Sequence, residues 1–399
     1  MRILALAAAA LTSACATVPD APRIPEPATV VVGFDRDSIE PLIVEGIADR
    51  NTERMVEVND PVRIASLSKL VMALATLRLV DEGKVDLDRD VSDYLGWTLR
   101  HPDYPDDPVT LRQLLSHTSA LRDDAGYVIA LGESLQARLA DPSAWYADAP
   151  PGEAPFEYAN LGSAMVATAL EGATGERYDR LVDRTVFTPL EIEACFNWID
   201  CDLATMARAV TLYRSTGEVA RDAPDEVMPP ACTFPVFGLE ECRIENYVSG
   251  TNASIFSPQG GLRIGMMDLA KIGQALLRDK NSDFLSEALF GEWVNSAFSG
   301  IRGDQEFFCA YGLGVQVIQL PGRACEDRLF PDDFTYLGHA GEAYGLRSGL
   351  WFEADGNRGF AYFTTAVPPR ASAEDEGGFD PREIDLMARA MRLSTKSDR

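Results

Sequence analysis

The chain has 399 residues, 46% hydrophobic and 25% charged, an ordinary globular composition with ample material for a sizeable core. Its formal net charge is −26. That balance argues against nucleic acid, whose phosphates need clustered Lys and Arg, and against polyanionic substrates except at a locally basic cleft.

The first elements concern export. Met1 and Arg2 form a minimal positive start, Ile3 to Leu11 a short apolar core, and "TSACA" follows. Residues 1–16 therefore read as a secretory signal, too short to span a membrane. "LTSAC" resembles a lipobox, in which Cys15 is lipidated, becomes the new first residue and attaches the protein to a membrane. Ordinary cleavage after Ala16 is the competing reading. The Pro-rich residues 17–27 read as a tether.

"ATVVVGF" and "PLIVEGIA", separated by "DRDS", predict a β-hairpin. "VRIASLSKLVMALATL", Val62 to Leu77, predicts a helix that opens near Ser66 and stops at Gly83. It is apolar nearly all round, as a central buried helix should be. From about residue 84 to 250 the pattern is helical and loop-like, with helices in "TLRQLLSHT", "LGSAMVATALEGATGE", "DRLVDRTVFTPL" and "DLATMARAVTLYRSTGE". From about 305 strands return in "YGLGVQVIQL", "DFTYLGHAGEAYGLRSGLWFEADG" and "GFAYFTTAVP", and a last helix covers about 381–393. Strand-rich ends bracketing a helical middle predict an α+β fold, a central antiparallel sheet flanked by helices and interrupted by a mostly helical insertion.

Seven cysteines are present; setting Cys15 aside leaves six, in three close couples. Six cysteines allow about 15 connectivities, and an oxidising compartment with short loops favours the sequential one: Cys195–Cys201, Cys232–Cys242 and Cys309–Cys325. No Cys-x-x-Cys occurs and the three histidines stand far from the cysteines, so neither a metal nor another cofactor is expected.

Ser66 and Lys69 lie one helical turn apart on one face. A serine hydroxyl needs a base to become a nucleophile, and a lysine is that base only when desolvation depresses its pKa. "FEYANLG" holds the only Tyr-x-Asn, Tyr158 to Asn160, and "YLGHAGEAYGLRSGLWF" the only His-x-Gly, His339 to Gly341.

With these three elements in this order, the chain resembles the serine β-lactamase and penicillin-binding-protein superfamily, and most of all its branch of class C β-lactamases, DD-peptidases and esterase relatives. The resemblance spans roughly residues 28 to 395 and implies one catalytic unit. Its α/β subdomain would comprise 28–95 and 255–395, and its helical subdomain 96–254. It implies Ser66 as the acylated nucleophile, Lys69 and Tyr158 as the proton-transfer pair, and Asn160 as a partner of Lys69 and the substrate amide. It places His339 where many β-lactamases have a lysine. Gly341 would leave room for substrate as an added strand, and the N–H groups of Ser66 and Glu342 would form the oxyanion hole. The implied activity is an exported, periplasmic serine hydrolase forming an acyl-serine on an amide, peptide or ester substrate. A β-lactamase proper is an alternative that the His-for-Lys change disfavours; a non-catalytic penicillin-binding sensor is another. His117 is expected to be structural and Ser68 a bystander.

Overall fold

The first two valine-rich runs pair as expected. Thr29–Phe34 (β1) and Ile39–Glu45 (β2) form an antiparallel hairpin, and Asp35 Oδ1 accepts the N–H groups of Asp37 and Ser38 at 2.7 Å in its turn. These strands belong to a computed structural model that describes residues 26–228, 232–238, 240–278, 284–299, 310–322, 325–369 and 378–397. The signal, Cys15, most of the tether and Cys309 of the third cysteine couple lie outside the described residues.

Further along come Val62–Arg63 (β3), Ser68–Asp81 (α1), Leu111–Leu115 (α2), Leu161–Thr174 (α3) and Ala194–Phe196 (β4). Leu212–Tyr213 (β5), Val219–Arg221 (β6), Leu262–Ile264 (β7), Met266–Arg278 (α4) and Glu287–Ser299 (α5) follow. The chain then forms Ala310–Tyr311 (β8), Gln316–Ile318 (β9), Tyr336–Ala343 (β10), Leu346–Glu353 (β11), Gly359–Thr364 (β12) and Pro381–Ser397 (α6).

The main sheet has seven strands in the order β8-β9-β10-β11-β12-β1-β2, all antiparallel. Both ends of the chain build it, and the helical middle is inserted between them. α4 packs across β1, β11 and β12 on one face. On the other, Leu386, Met387 and Ala390 of α6 join Val31, Ile43, Trp351 and Phe360 in a second apolar cluster. Covered on both faces, β11 and β12 are buried at every position; β12 accordingly runs nearly continuously apolar, whereas β11 buries Arg347, Ser348 and Glu353 with polar partners. A smaller sheet orders β3-β7-β4 and anchors the segment leading to Ser66.

α1 is buried at every residue from Ser68 to Leu77, the central helix its sequence predicts. Two expectations need adjustment, and one strand-rich segment gains its turn. "DLATMARAVTLYRSTGE" is helical only over Leu203–Ala207; its Val-Thr-Leu-Tyr stretch ends in β5, Leu212–Tyr213, paired to β6 around Gly217, because β-branched and aromatic residues beside a glycine turn favour a hairpin. "DRLVDRTVFTPL" is a broken helical stretch, α-helical only over Tyr178–Val182. "YLGHAGEAYGLRSGLWF" is two strands folded at Tyr344 (φ 55°) and Gly345 (φ 77°). Positive φ at both central residues makes the turn that matches strand twist.

Cys195–Cys201 and Cys232–Cys242 are disulfides. The second braces a loop whose strand-like part docks on Leu131 through Leu131 N–H to Pro235 O and Phe237 N–H to Leu131 O, both 2.9 Å.

Candidate active site

Ser66 does not lie on α1 itself. It occupies a 3-10 turn, Ala65–Leu67, between β3 and α1, which corrects the expectation that it opens the helix. Ala65 takes a left-handed φ of 50°, a conformation that costs a non-glycine residue roughly 1 kcal/mol and needs surrounding support. Ser68 supplies it. Its hydroxyl donates to Ala65 O at 2.7 Å and accepts from Leu262 N–H at 3.2 Å. Ser68 is thus a brace of the serine turn and not a bystander.

Lys69 is 1% exposed. Its Nζ donates to Asn160 Oδ1 at 2.8 Å, Gln259 O at 3.1 Å and Ser66 Oγ at 3.2 Å. Burial lowers its pKa to about 7, opposed by the nearby Asp123 carboxylate. The partners differ in what they can offer a neutral Lys69. The Asn160 and Gln259 oxygens only accept, whereas the Ser66 hydroxyl can also donate. When Lys69 is neutral, its lone pair therefore faces Ser66. The ammonium also lies 4.6 Å from the centre of the Tyr158 ring.

Tyr158 hydrogen-bonds Ser66 through its phenol, and burial outweighs that bond and raises its pKa above the ordinary value. It is a phenol, not a phenolate, at neutral pH. Its ring packs in a cluster with His117, Tyr311 and His339, at centroid distances of 4.5, 6.2 and 6.4 Å.

Asn160 is held by a residue that pattern reading misses. Asp123 Oδ2 accepts from Asn160 N–H at 3.0 Å and Asn160 Nδ2 at 2.8 Å; Asp123 Oδ1 accepts from Leu161 N–H at 2.9 Å. The carboxylate caps α3 from outside and turns the Asn160 carbonyl toward Lys69. Its only sequence signal is an acidic residue after "LLSHTSAL". Gln259 is missed for another reason: it acts through its backbone oxygen.

His339 is buried, with Nδ1 2.6 Å from Ala340 O and Nε2 3.0 Å from Tyr311 OH. These partners assign the proton to Nδ1 and make Nε2 an acceptor. Burial and then the Lys69 charge push its pKa down to about 3, so it is neutral. His117 is neutral too, from burial and then the Lys69 charge, and its Nδ1 accepts Ala159 N–H at 3.2 Å.

β9 pairs with β10 only at Tyr336, Leu337 and Gly338. Past Gly338, β10 is paired on its β11 side alone among the described residues, so a strand interior by order leaves one edge open beside the serine turn. Gly341 has a more immediate reason to lack a side chain than room for substrate. A Cβ there would lie 2.3 Å from Ile64 O and 2.4 Å from Ser348 Oγ, where Ser348 ties Ile64 O to β11 at 2.9 Å. Glu342 carries its side chain outward into an ion pair with Arg347. A separate cavity of about 870 Å³, lined by Arg112, Glu287, Glu292 and Asn295, includes none of Ser66, Lys69, Tyr158, Asn160 or His339.

A family model described as Beta-lactamase matches residues 28–380. The chain is 33% identical over 139 residues to the D-alanyl-D-alanine-carboxypeptidase/endopeptidase AmpH of Escherichia coli (strain K12), 34% of this chain and 36% of that one. It is 32% identical over 165 residues to Esterase EstB of Burkholderia gladioli, 38% of this chain and 42% of that one. These matches thus span less than half of either relative. Among solved structures, the D-amino acid amidase from Ochrobactrum anthropi SV3 superposes with a TM-score of 0.65 at 16% identity, covering 94% of this chain and 95% of that one, a likeness of fold.

Proposed function

The chain belongs to the Beta-lactamase family, and from that premise we propose that it is an exported serine hydrolase that forms an acyl-enzyme on Ser66 and acts on amide, peptide or ester substrates. The observation that carries the reading is the buried Lys69, with its pKa brought to about 7 and its lone pair directed at Ser66 Oγ.

In the proposed cycle, Ser66 Oγ attacks the acyl carbon while its proton passes to Lys69. The N–H groups of Ser66 and Glu342 receive the oxyanion. As the bond to the leaving group breaks, Tyr158 gives that group its proton and regains one from the Lys69 ammonium. Water then repeats the sequence: its proton goes through Tyr158 to Lys69, hydroxide attacks the acyl carbon, and Ser66 leaves and recovers its proton. Asn160 holds Lys69 and the substrate amide. A neutral His339 offers no permanent cation to a carboxylate beside the scissile bond, which favours a DD-peptidase- or esterase-like reaction over a β-lactamase. Two disulfides support export to an oxidising compartment, periplasmic in this reading, with the anchor at Cys15. We take residues 28–95 plus 255–395 and 96–254 as the two subdomains flanking the cleft.

The test is intact-mass analysis after incubation with a fluorescent penicillin, p-nitrophenyl acetate and a D-Ala-D-Ala peptide, on wild type and Ser66→Ala. An adduct with turnover in wild type alone is expected. Absence of both with every substrate overturns the hydrolase, and turnover in Ser66→Ala overturns the nucleophile. A lasting adduct without turnover would favour the sensor.

A further inference from the structure

Arg63 lies three residues before Ser66, on β3, opposite Arg263 of β7. Arg221 ends β6, followed at once by Asp222. Among the described residues Asp222 is the one carboxylate hydrogen-bonded to any of these arginines, and the arginine is Arg263: its Nη2 and Nε donate to Asp222 at 2.8 and 3.3 Å. Trp198 Nε1 fills another position on the same carboxylate at 3.0 Å.

Arg63 is left over. It is 7% exposed, its Nε is buried without a hydrogen-bond partner, and among the described residues its guanidinium makes neither a hydrogen bond nor an ion pair. A desolvated, unpartnered guanidinium is unusual and costly in a folded protein. Its neighbour on the open side is aromatic. The Arg63 and Arg221 guanidinium carbons lie 5.1 and 6.0 Å from the centre of the same ring, that of Tyr344. Tyr344 is 38% exposed, so the pair of cations meets solvent at that ring. A chain of net charge −26 thus concentrates three arginines and one aspartate at one spot.

The spot lies along the proposed substrate path. Tyr344 follows the last residue of β10, two positions past Glu342 and on the far side of it from His339. Tyr158, which returns the proton to the leaving group, packs toward His339. The leaving group therefore departs at the His339 end, and the acyl chain runs toward Tyr344. The two residues from Glu342 to Tyr344 span about 7 Å at strand rise. Tyr127 marks the same line, because its phenol feels both Asp123 beside Asn160 and the Tyr344–Arg63 pair.

We propose that Arg63 and Arg221, against the Tyr344 ring, form an anion subsite that receives a carboxylate carried on the acyl portion of the substrate, about 7 Å from the scissile carbonyl. The inference rests on the hydrolase reading and narrows its substrate class to acidic acyl donors.

Two esters with one leaving group test it: p-nitrophenyl hexanoate and the p-nitrophenyl monoester of adipic acid, equal in chain length but differing by a terminal carboxylate. In wild type, kcat/KM is expected to favour the adipate ester about tenfold, the gain of one good charge-assisted pair, with the preference narrowing as salt rises. In Arg221→Gln, a half-buried site whose change spares the core, and in Arg63→Gln, the ratio should fall toward one. A wild-type ratio at or below one, or a ratio that survives both substitutions, overturns the subsite while hexanoate turnover upholds the hydrolase. If neither ester turns over, the hydrolase reading is judged separately, on the penicillin and the D-Ala-D-Ala peptide. Calorimetric titration with free adipate then decides the subsite: binding to wild type that is lost in Arg221→Gln sustains it, and no binding to wild type ends it.

Discussion

Asp123→Asn is the substitution that most directly probes how the site is held. In the native chain one carboxylate accepts three hydrogen bonds, from Asn160 N–H, Asn160 Nδ2 and Leu161 N–H. Asparagine keeps one accepting oxygen and turns an NH₂ toward the remaining donors, so at least one of the three loses its partner. Hydrogen bonds to charged groups contribute about 1.5–3 kcal/mol. If that loss falls on the orientation of Asn160 and hence Lys69, acylation slows about 10- to 150-fold.

A second effect separates positioning from mere damage. Asp123 holds the Lys69 pKa up against burial. Removing its charge takes Lys69 below about 7. Acylation needs neutral Lys69, so the rate rises as pH climbs through that pKa, and the acid limb of the variant should move to lower pH even as its plateau drops. The assay is the p-nitrophenyl acetate burst, followed from about pH 5 to 9 with intact mass counting acylated enzyme. A slowed variant whose limb stays in place would reduce Asp123 to a helix cap, and a wild-type burst would refute the argument entirely.

Gly341→Ala puts a methyl 2.3 Å from Ile64 O; overpacking of this kind costs about 1–3 kcal/mol in urea unfolding, and the burst should shrink because the push lands on the serine turn. A variant of native stability would show that the strand yields freely there. Ser68→Ala removes both bonds that hold Ala65 in its left-handed turn and should lower stability by about 1–3 kcal/mol with slower acylation; native burst kinetics would show that the turn holds without them. Glu171 is buried and accepts Tyr178 N–H and Gly250 N–H, both at 2.7 Å, and the Tyr247 hydroxyl. Burial raises its pKa from 4.5 to about 7. Because the folded state holds this proton more tightly, the stabilisation is full below about pH 4.5 and is lost as pH rises through about 7. Glu171→Gln cannot titrate, so its stability relative to wild type should improve by about 3 kcal/mol between those limits; a pH-independent difference in urea unfolding would contradict the assignment.

What the sequence discloses follows from how each residue acts. Ser66 and Lys69 are legible because the chain itself fixes a spacing of three. Tyr158, Asn160, His339 and Gly341 are legible because short patterns keep side-chain chemistry and local geometry together. Asp123 is not. It reaches Asn160 and Leu161 across 37 and 38 positions, and nothing local separates it from Asp124 or from the other members of a set of 62 acidic residues. Gln259 contributes a carbonyl oxygen, which every residue has. The hairpin of β5 and β6 was hidden for a third reason: strands of two and three residues are too short for periodicity to compete with a helical run just before them.

The same electrostatics explain why a histidine is workable on β10. The groups around Ser66 and Lys69 are two imidazoles held neutral by burial and by Lys69, two phenols held protonated by burial, and Asp123. A lysine at 339 would set a second cation against Lys69 and drive its pKa lower still. With a neutral His339, burial and Asp123 alone set Lys69 near 7. One carboxylate therefore has two tasks, orienting Asn160 and keeping the base from losing its proton too easily. In the proposed anion subsite the charge that β10 lacks is supplied farther off, by Arg63 and Arg221, neither of which shifts Lys69.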